Sequence, residues 1–223
     1  MPDPGHTRRA GADERTRQTR GEARRQRILD TAVELLAAKG FRGTSLAELA
    51  ERVGMTHPGL LYYFGSKDRL LREVVAERER QEGVAYLAFF DDEDTSMFKV
   101  GDIARLMVAN ATFTRLYVVL AAENLDPGDP LHGFFVDRYE RARRAGIGIL
   151  RADQARGDIR PDVDIAQVSC EVTAMLMGIE VQWLMDPDRV DLIAVVDAYV
   201  EGLRTRLAPQ GHRAGLVSPP TPP

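Results

Sequence analysis

The chain has 223 residues, of which 44% are apolar, and this is enough for a globular core in one or two domains. It contains no run of about 18 apolar residues, and no apolar segment follows its N-terminal arginines, so neither a membrane span nor a secretory signal is expected. The single cysteine, Cys170, excludes an intramolecular disulfide and disfavours a cysteine-rich metal site. These exclusions favour a cytoplasmic protein without a membrane partner, a metal or another cofactor.

The net charge of −4 is divided unevenly along the chain. Residues 1–67 contain 12 Lys/Arg against 8 Asp/Glu, whereas residues 68–223 contain 18 against 26. A basic N-terminal part attached to an acidic body is typical of a protein that touches nucleic acid with one end only. A protein that coats DNA without sequence preference would need basic charge over much of its surface, which the acidic body lacks.

The N-terminal segment and the first helix have clearly different compositions. Residues 1–21 are rich in Arg, Gly and Thr without a hydrophobic period, so a disordered basic arm is predicted. Such an arm could follow the DNA backbone or enter the minor groove, or it could be only a solvated tail. A helix is predicted over roughly 22–39, with Gly40 as its stop signal.

The stretch TSLAELAERVGMTHPGLLYYFGSKDRLL, residues 44–71, predicts a helix-turn-helix followed at once by another capped helix. Its two short helices are expected over roughly 46–52 and 56–63, with Gly54 in the turn, where a positive φ is needed. Ala50 supplies a small side chain where the two helices would cross. Such a unit serves to place a short helix in the DNA major groove.

Residues with capping chemistry precede each of these helices. Thr44 or Ser45 is expected to cap the first, and Glu48 lies three residues after Ser45, as in a capping box. Thr56 and Ser66 occupy the corresponding positions before the two helices that follow. The boundaries of the helix-turn-helix are therefore predicted by local chemistry as well as by hydrophobic spacing.

The remainder of the chain also has helical periodicity, and no strand with alternating apolar residues is apparent in the sequence. Helices are expected over about 98–122, 130–155, 164–185 and 188–207, followed by a disordered tail over 208–223. The segment 164–185 is apolar on nearly every face, which predicts burial on all sides. An all-α protein is the resulting prediction for the fold class.

The residues KGFRGTSLAELAERVGMTHPGLLYYFGSKDRLL, Lys39 to Leu71, resemble the TetR/AcrR family of transcriptional regulators. The K-G-F-x-x-T lead-in, the L-A-x-x-x-G turn, the Y-x-F ending and the S-K-D-x-L start of the next helix match the family pattern. The resemblance implies an N-terminal three-helix DNA-binding head with the helix-turn-helix, residues 22–67. It also implies a C-terminal helical domain, residues 68–207, for ligand binding and dimerisation.

DNA contacts are expected on the two short helices and at the start of the next one. Lys67 matches the lysine that contacts a phosphate in the family, whereas His57 and Thr56 can hydrogen-bond base edges. Tyr63 could donate its hydroxyl to the backbone, pack in the core, or do both. Leu61 departs from the family pattern, because many relatives have a Tyr there. The expected DNA-binding residues are Thr44, Ser45, Thr56, His57, Pro58, Gly59, Tyr62, Tyr63 and Lys67.

Ligand-pocket candidates are chiefly Met and aromatic residues of the C-terminal helices, which suit adaptable apolar pockets. At helical spacing, such residues are often ordinary core. The candidates for the wall are Met97, Met107, Phe113, Tyr117, Phe134, Phe135, Met175, Met177 and Trp183. Four polar residues in or beside these helices could orient a ligand by hydrogen bonds: Asn110, Glu123, His132 and Glu180.

By the same resemblance, the helices near 164–185 and 188–207 pair with those of a second copy in a four-helix bundle, so that two heads read a palindromic site. The alternative is that they only close the core of one chain. One face of the last helix is apolar through Leu192, Val196, Tyr199 and Leu203. Ligand binding would reach the head through the helix after Ser66, whose inner residues are Leu70, Leu71, Val74 and Val75.

These expectations define a sequence-specific transcriptional regulator: a homodimeric repressor that a small, apolar effector of unknown identity releases from double-stranded operator DNA. A transcriptional activator or a non-specific DNA-binding protein is the alternative. An enzyme is not expected, because the four histidines are scattered and no nucleophile, base and orienting group stand out.

Overall fold

The computed structural model describes the backbone of residues 5–91 and 95–209 and the side chains of residues 21–81 and 95–209. All regular structure in these ranges is helical, which confirms the predicted all-α class. The helices are α1 (Gly5–Gly43), α2 (Leu46–Arg52), α3 (His57–Phe64), α4 (Lys67–Asp91), a short 3₁₀ helix (Met97–Lys99), α5 (Gly101–Ala109), α6 (Ala111–Ala122), α7 (His132–Arg156), α8 (Ile165–Met185) and α9 (Leu192–Leu207).

Helix α1 is longer than the sequence predicted. It begins at Gly5, so residues 5–21 are helical rather than the disordered arm expected from composition. Arg, Glu, Gln and Ala are good helix formers, and an existing helix extends without a new nucleation step. At Gly40 the backbone leaves the helical conformation, with φ 72° and ψ 179°, so the predicted stop signal is confirmed. Residues 1–4 and 210–223, parts of the predicted arm and tail, lie outside the described residues.

The chain divides into two compact units. Unit 1 comprises Met1–Glu82 and Arg115–His132, and unit 2 comprises Gly83–Thr114 and Gly133–Pro223. The sequence placed the domain boundary between residues 67 and 68, whereas most of α4 belongs with the head. Hydrophobic burial explains this difference, because the inner residues of α4 are enclosed in the core of unit 1: Leu70, Leu71, Val74 and Val75.

Two ion pairs also fasten α4 to α1 within unit 1. Arg25 binds Glu73 at 2.7 Å, and Arg78 binds Asp30 at 3.2 Å. Both pairs are partly exposed, so each adds only up to about 1 kcal/mol to stability, but together they fix the register of the two helices. The remaining core of unit 1 is apolar and includes Ile28, Leu29, Ala32, Leu35, Leu49, Leu60, Phe64, Leu116 and Leu120.

The predicted single helix over 98–122 is instead a 3₁₀ turn followed by α5 and α6, which meet at 94°. Asn110 ends α5, and its side-chain amide donates to the Leu106 carbonyl at 3.1 Å. The Thr114 hydroxyl donates to the Met107 carbonyl at 3.0 Å, so the carbonyl oxygens at the break retain partners. No single helix of the described ranges is long and apolar enough to cross a membrane, and only this bent pair reaches that length and composition together.

Unit 2 is built around the contacts of α8 and α9 with α5 and α7. Asp164 caps α8, and Asp191 caps α9 by accepting from the Ala194 N–H at 2.9 Å, so α9 begins at Leu192 rather than near residue 188. The apolar face of α9 predicted from sequence is packed inside this core, with Leu192, Val196 and Leu203 buried and Tyr199 half-buried.

Helix α8 is not buried on all sides in one copy of the chain, contrary to the prediction from its apolar composition. Val168, Val172 and Ile179 face the core, whereas the opposite side reaches solvent. Met185 is 80% exposed there. An all-round apolar helix in a single chain therefore carries a second face that the same chain does not cover.

Candidate nucleic-acid interface

The turn between α2 and α3 follows the predicted local chemistry. Ser45, not Thr44, caps α2 by accepting from the Glu48 N–H at 3.1 Å. Gly54 has φ 66°, and the Met55 N–H donates to the Ala50 carbonyl at 2.8 Å to close the turn. Ala50 is buried, as its position at the helix crossing requires.

The predicted capping box is only half formed. The Glu48 carboxylate binds the Lys39 ammonium at 2.6 Å and lies 3.6 Å from the Arg52 guanidinium. It therefore joins the end of the main α1 segment to α2. Two neighbouring cations compete successfully for a carboxylate that the sequence assigned to a backbone N–H, because charge-assisted hydrogen bonds are the stronger ones.

Helix α3 has an anchored inner face. Leu60 and Phe64, one turn apart, are both buried. Thr56 caps the helix by accepting from the Gly59 N–H at 3.2 Å, and Gly65, at φ 73°, ends it as predicted. The helix is therefore held in one rotational setting, and its outer face is fixed relative to the core of unit 1.

The outer face of α3 presents most of the predicted DNA-contacting residues to solvent. Thr56, His57 and Pro58 are exposed at its start, and Tyr62 is 90% exposed. Gly59 is half-buried beside the cap, and a Cβ added there would lie 3.1 Å from the Thr56 hydroxyl oxygen. Polar groups and a protruding aromatic ring on a fixed helix suit contact with base edges and sugar-phosphate backbone.

One predicted phosphate contact, Thr44, differs from its expected setting. Thr44 is buried, and its hydroxyl donates to the Gly40 carbonyl at 2.7 Å, so its donor is not directed at a phosphate. This correction arises because Thr44 closes the α1–α2 turn, a role that sequence spacing did not distinguish from capping. Tyr63 is exposed over about a third of its surface and packs edge-on to Tyr62, with 6.3 Å between ring centroids.

Lys67 begins α4, directly after the capping residue Ser66. Its ammonium nitrogen lies 4.3 Å from the centroid of the Phe41 ring. Among the described residues it has no carboxylate partner, so its three N–H donors remain for an anion. The position of Phe41 under Lys67 depends on a contact that sequence spacing does not reveal.

Two residues predicted near a ligand belong to unit 1 instead. The Tyr117 hydroxyl donates to the Glu79 carboxylate at 2.8 Å and ties α6 to α4. The Glu123 carboxylate accepts from the backbone N–H groups of Phe41 and Arg42. Both side chains have partners distant in sequence. The apolar residues around them do not reveal such partners, so the sequence suggested a pocket.

The remaining pocket candidates divide into inner and outer residues. Met97 and Met107 belong to the core of unit 2, with Met175 and Trp183 packed against it. Phe113 and Phe135 are buried, and Phe134 contacts Phe135 edge-on at 5.1 Å. Two candidates lie outside this core: Asn110 is exposed and caps α5, and Met177 lies on the outward side of α8.

His132 and Glu180 complete the predicted polar set. His132 Nδ1 lies 3.2 Å from the Asn124 carbonyl oxygen, within the α6–α7 connection of unit 1. Glu180 is half-buried on α8, and burial raises its pKa to about 7, although Arg138 opposes the shift. Glu180 also helps raise the pKa of Tyr139, after burial itself. It is therefore a polar group in an apolar part of unit 2.

Two family models match the chain. Residues 28–74 match the bacterial regulatory proteins of the tetR family, and residues 128–205 match the C-terminal domain of BetI-type transcriptional repressors. The first match contains α2 and α3 with the outer face described above, and the second contains α7, α8 and most of α9.

Relatives match over most of their length. The probable HTH-type transcriptional regulator ArpR of Pseudomonas putida is 27% identical over 200 residues, which cover 83% of this chain and 92% of ArpR. The HTH-type transcriptional repressor NicS of Pseudomonas putida is 27% identical over 167 residues, or 71% and 76% of the two chains. The solved structure of a putative transcriptional regulator from Saccharomonospora viridis in complex with choline has the same fold, with a TM-score of 0.70 and 20% sequence identity. The match covers 82% of this chain and 95% of that protein.

Proposed function

Because this chain belongs to the TetR/AcrR family of transcriptional regulators, we propose that it acts as a homodimeric repressor of a palindromic operator. The observation that carries this proposal is the geometry of α3. Leu60 and Phe64 anchor its inner face, whereas His57, at its first turn, and Tyr62, on its outer face, are exposed to solvent. A second copy places an identical helix one or more helical turns of DNA away.

The division of labour on DNA follows from side-chain chemistry. Lys67 and Ser45, with the hydroxyl of Tyr63, contact phosphates and give affinity without sequence choice. Thr56, His57 and Tyr62 lie on the exposed side of α3 and contact base edges. Few long polar side chains are present on α3, so sequence-dependent DNA shape contributes much of the selectivity.

The uncovered face of α8 and its neighbour α9 support the homodimer. On α8 this face comprises Met177, Val181 and Met185, and on α9 it comprises Ala194, Val195, Ala198 and Gly202. Exposed apolar side chains on two packed helices are costly in water, and an interface built from them is self-complementary under a two-fold axis. We therefore assign α8 and α9 to the dimer interface, in addition to their part in the core of each chain.

The effector is a small molecule that contacts the inner residues of unit 2. With Asn110, Tyr117, Met177 and Glu123 assigned to other roles, the candidates are Met107, Phe113, Phe134, Phe135, Met175 and Trp183. These are buried or half-buried, and their soft or aromatic surfaces suit an apolar molecule. Glu180 is the polar group available to orient it. TetR-family members are regulators and generally not enzymes, and we assign no catalytic residue.

Repression, not activation, is proposed because the relative NicS is named a repressor. The test of DNA binding is selection of sites from random duplex DNA by the purified full-length protein at a stated physiological salt concentration. An enriched inverted repeat is expected. Salt-sensitive binding without an enriched motif would instead indicate non-specific association. Placing the enriched site across a promoter in a transcription assay then distinguishes repression from activation.

A further inference from the structure

Glu123, the first residue after α6, binds the backbone where the main segment of α1 ends. Its carboxylate accepts hydrogen bonds from the N–H groups of Phe41 at 2.5 Å and Arg42 at 3.2 Å. Gly40 turns the backbone out of the helix, so these N–H groups start a new turn. The carboxylate therefore acts as a capping group supplied by a segment 82 residues away in sequence.

The turn is fitted closely around this carboxylate. A Cβ at Gly40 would lie 2.5 Å from the Glu123 Oε1 atom, and the backbone there has a positive φ. The Thr44 hydroxyl donates to the Gly40 carbonyl at 2.7 Å. The positive φ favours glycine, and a Cβ there would displace the Glu123 carboxylate from its present position; polar groups at both ends of the turn have partners.

The same turn carries the ring that supports Lys67. Lys67 is at the N-terminus of α4, where the helix dipole disfavours a cation. The face of Phe41, 4.3 Å from the ammonium nitrogen, offsets this by a cation–π contact. Because Glu123 fixes the backbone of Phe41, it also fixes the position of the ring. All these residues lie in unit 1.

We infer that Glu123 is a positioning residue for DNA binding, acting through Phe41 to hold the Lys67 ammonium toward a phosphate. The inference rests on the proposed DNA-binding function. It predicts an effect opposite in sign to simple electrostatics. A carboxylate in the head repels phosphates, so removing its charge alone would leave DNA binding unchanged or tighten it. If Glu123 holds Lys67 in position, by contrast, removing its carboxylate weakens DNA binding.

The experiment compares Glu123→Gln with a matched control, Asp126→Asn. Gln keeps the size of the side chain but turns an NH₂ group toward one of the two backbone donors. Asp126 lies three residues further along the chain and is exposed, and Asp126→Asn removes the same charge as Glu123→Gln. Binding of the full-length proteins to a duplex enriched by selection, or to random duplex if none is enriched, is measured by fluorescence anisotropy over a range of salt concentrations.

The expected result is binding weaker by about fivefold to tenfold for Glu123→Gln, with the slope of log K against log salt reduced by ~1. Asp126→Asn should bind as the wild type does, or slightly tighter. A general structural defect would not reduce the salt slope by one phosphate contact, so the slope separates positioning from loss of fold. Circular dichroism melting of each variant records the folded fraction.

Phe41→Leu provides a second route that leaves the N–H donors for Glu123 in place. It removes the aromatic face and should lower affinity and salt slope as Glu123→Gln does. Because both act through one ammonium, the double variant should lose less affinity than the product of the two single losses. Independent, multiplicative losses with an unchanged slope would overturn the inference.

Loss of the positioning role and loss of DNA binding itself give different results. If the wild type binds and Glu123→Gln matches Asp126→Asn in affinity and slope, the positioning role is wrong and the DNA-binding function stands. If the wild type binds no duplex at all, both fail.

Discussion

The outer face of α3 and the outer face of α8 both leave large apolar side chains in water, but their neighbours differ. On α3 the exposed ring of Tyr62 shares an anchored helix with Thr56 and His57, which are exposed at its start. On α8 the exposed Val181 and Met185 continue an apolar surface without a charged side chain between them. The first pattern fits a hydrated polar groove, and the second fits a dry contact with another apolar surface.

This difference shows that exposure alone does not identify a partner. Polar hydrogen-bonding groups beside an aromatic ring indicate nucleic acid, whereas contiguous aliphatic groups indicate protein. If the comparison is sound, changes on α8 should alter assembly first, and changes on α3 or beside it should alter DNA binding without altering assembly.

The largest effect is expected from Val181→Asp on α8. A charge buried in the dimer contact without a partner costs several kcal/mol, so the dimer dissociation constant should rise by about 100-fold or more. Analytical ultracentrifugation measures it. Val136→Asp on α7 is the matched control, because Val136 is 49% exposed against 36% for Val181. Equal dissociation constants for the two variants would remove α8 from the interface.

The inner side of α8 should respond to pH. Burial raises the pKa of Glu180 from 4.5 to about 7, so the folded chain keeps a proton that the unfolded chain has lost between these values. Stability should therefore fall as pH rises through this window and stay low above it. Glu180→Gln avoids the penalty, and its free energy of unfolding should exceed that of the wild type by about 2 kcal/mol at pH 8 and differ little at pH 5.

Urea unfolding at pH 5 and pH 8, at one protein concentration, measures this difference. The comparison at equal concentration matters because dimerisation contributes to apparent stability. An advantage of Glu180→Gln that is the same at both pH values would show that ionisation of Glu180 is not its cause.

On the head, Lys67→Ala should weaken DNA binding about tenfold for all sequences and lower the salt slope by ~1, because it removes one phosphate contact. Assembly should be unchanged, in contrast to Val181→Asp. Anisotropy titrations with the selected duplex and a scrambled duplex measure both quantities. A change in the ratio of the two affinities would assign Lys67 to base reading instead.

The smallest effect is expected from His57→Ala. It should relax preference at particular base pairs, at a cost of about 1 kcal/mol of discrimination for each, while leaving the salt slope almost unchanged. Repeating the site selection with this variant locates the affected positions. A motif that is weakened evenly at every position would argue against a direct base contact.

The parts of the fold that the sequence predicted depend on neighbours in the chain. The bounds of α2, the cap at Thr56 and the glycines at positions 54 and 65 follow from capping chemistry and positive φ. Such features involve residues within about four positions of each other, so local spacing is sufficient.

Most of the contacts that the sequence did not predict join residues far apart in the chain. Glu123 and Tyr117 were expected near a ligand because they lie in or beside an apolar helix, but their partners are Phe41 and Glu79. The bend at Asn110 is a local exception: side chains four and seven residues away satisfy the freed carbonyls, and apolar periodicity alone did not predict it. Apolar periodicity describes which face is hydrophobic, but not whether the same chain or a second copy covers it.

The most direct test of the whole account is the affinity and stoichiometry of the wild type on the selected duplex, measured with an intact repeat and with a single half-site. Two anchored α3 helices acting together should bind the intact repeat with an even number of chains and about 100-fold or more tighter than the half-site. Equal affinities for the two duplexes, with one chain on each, would contradict the homodimeric reading of a palindrome.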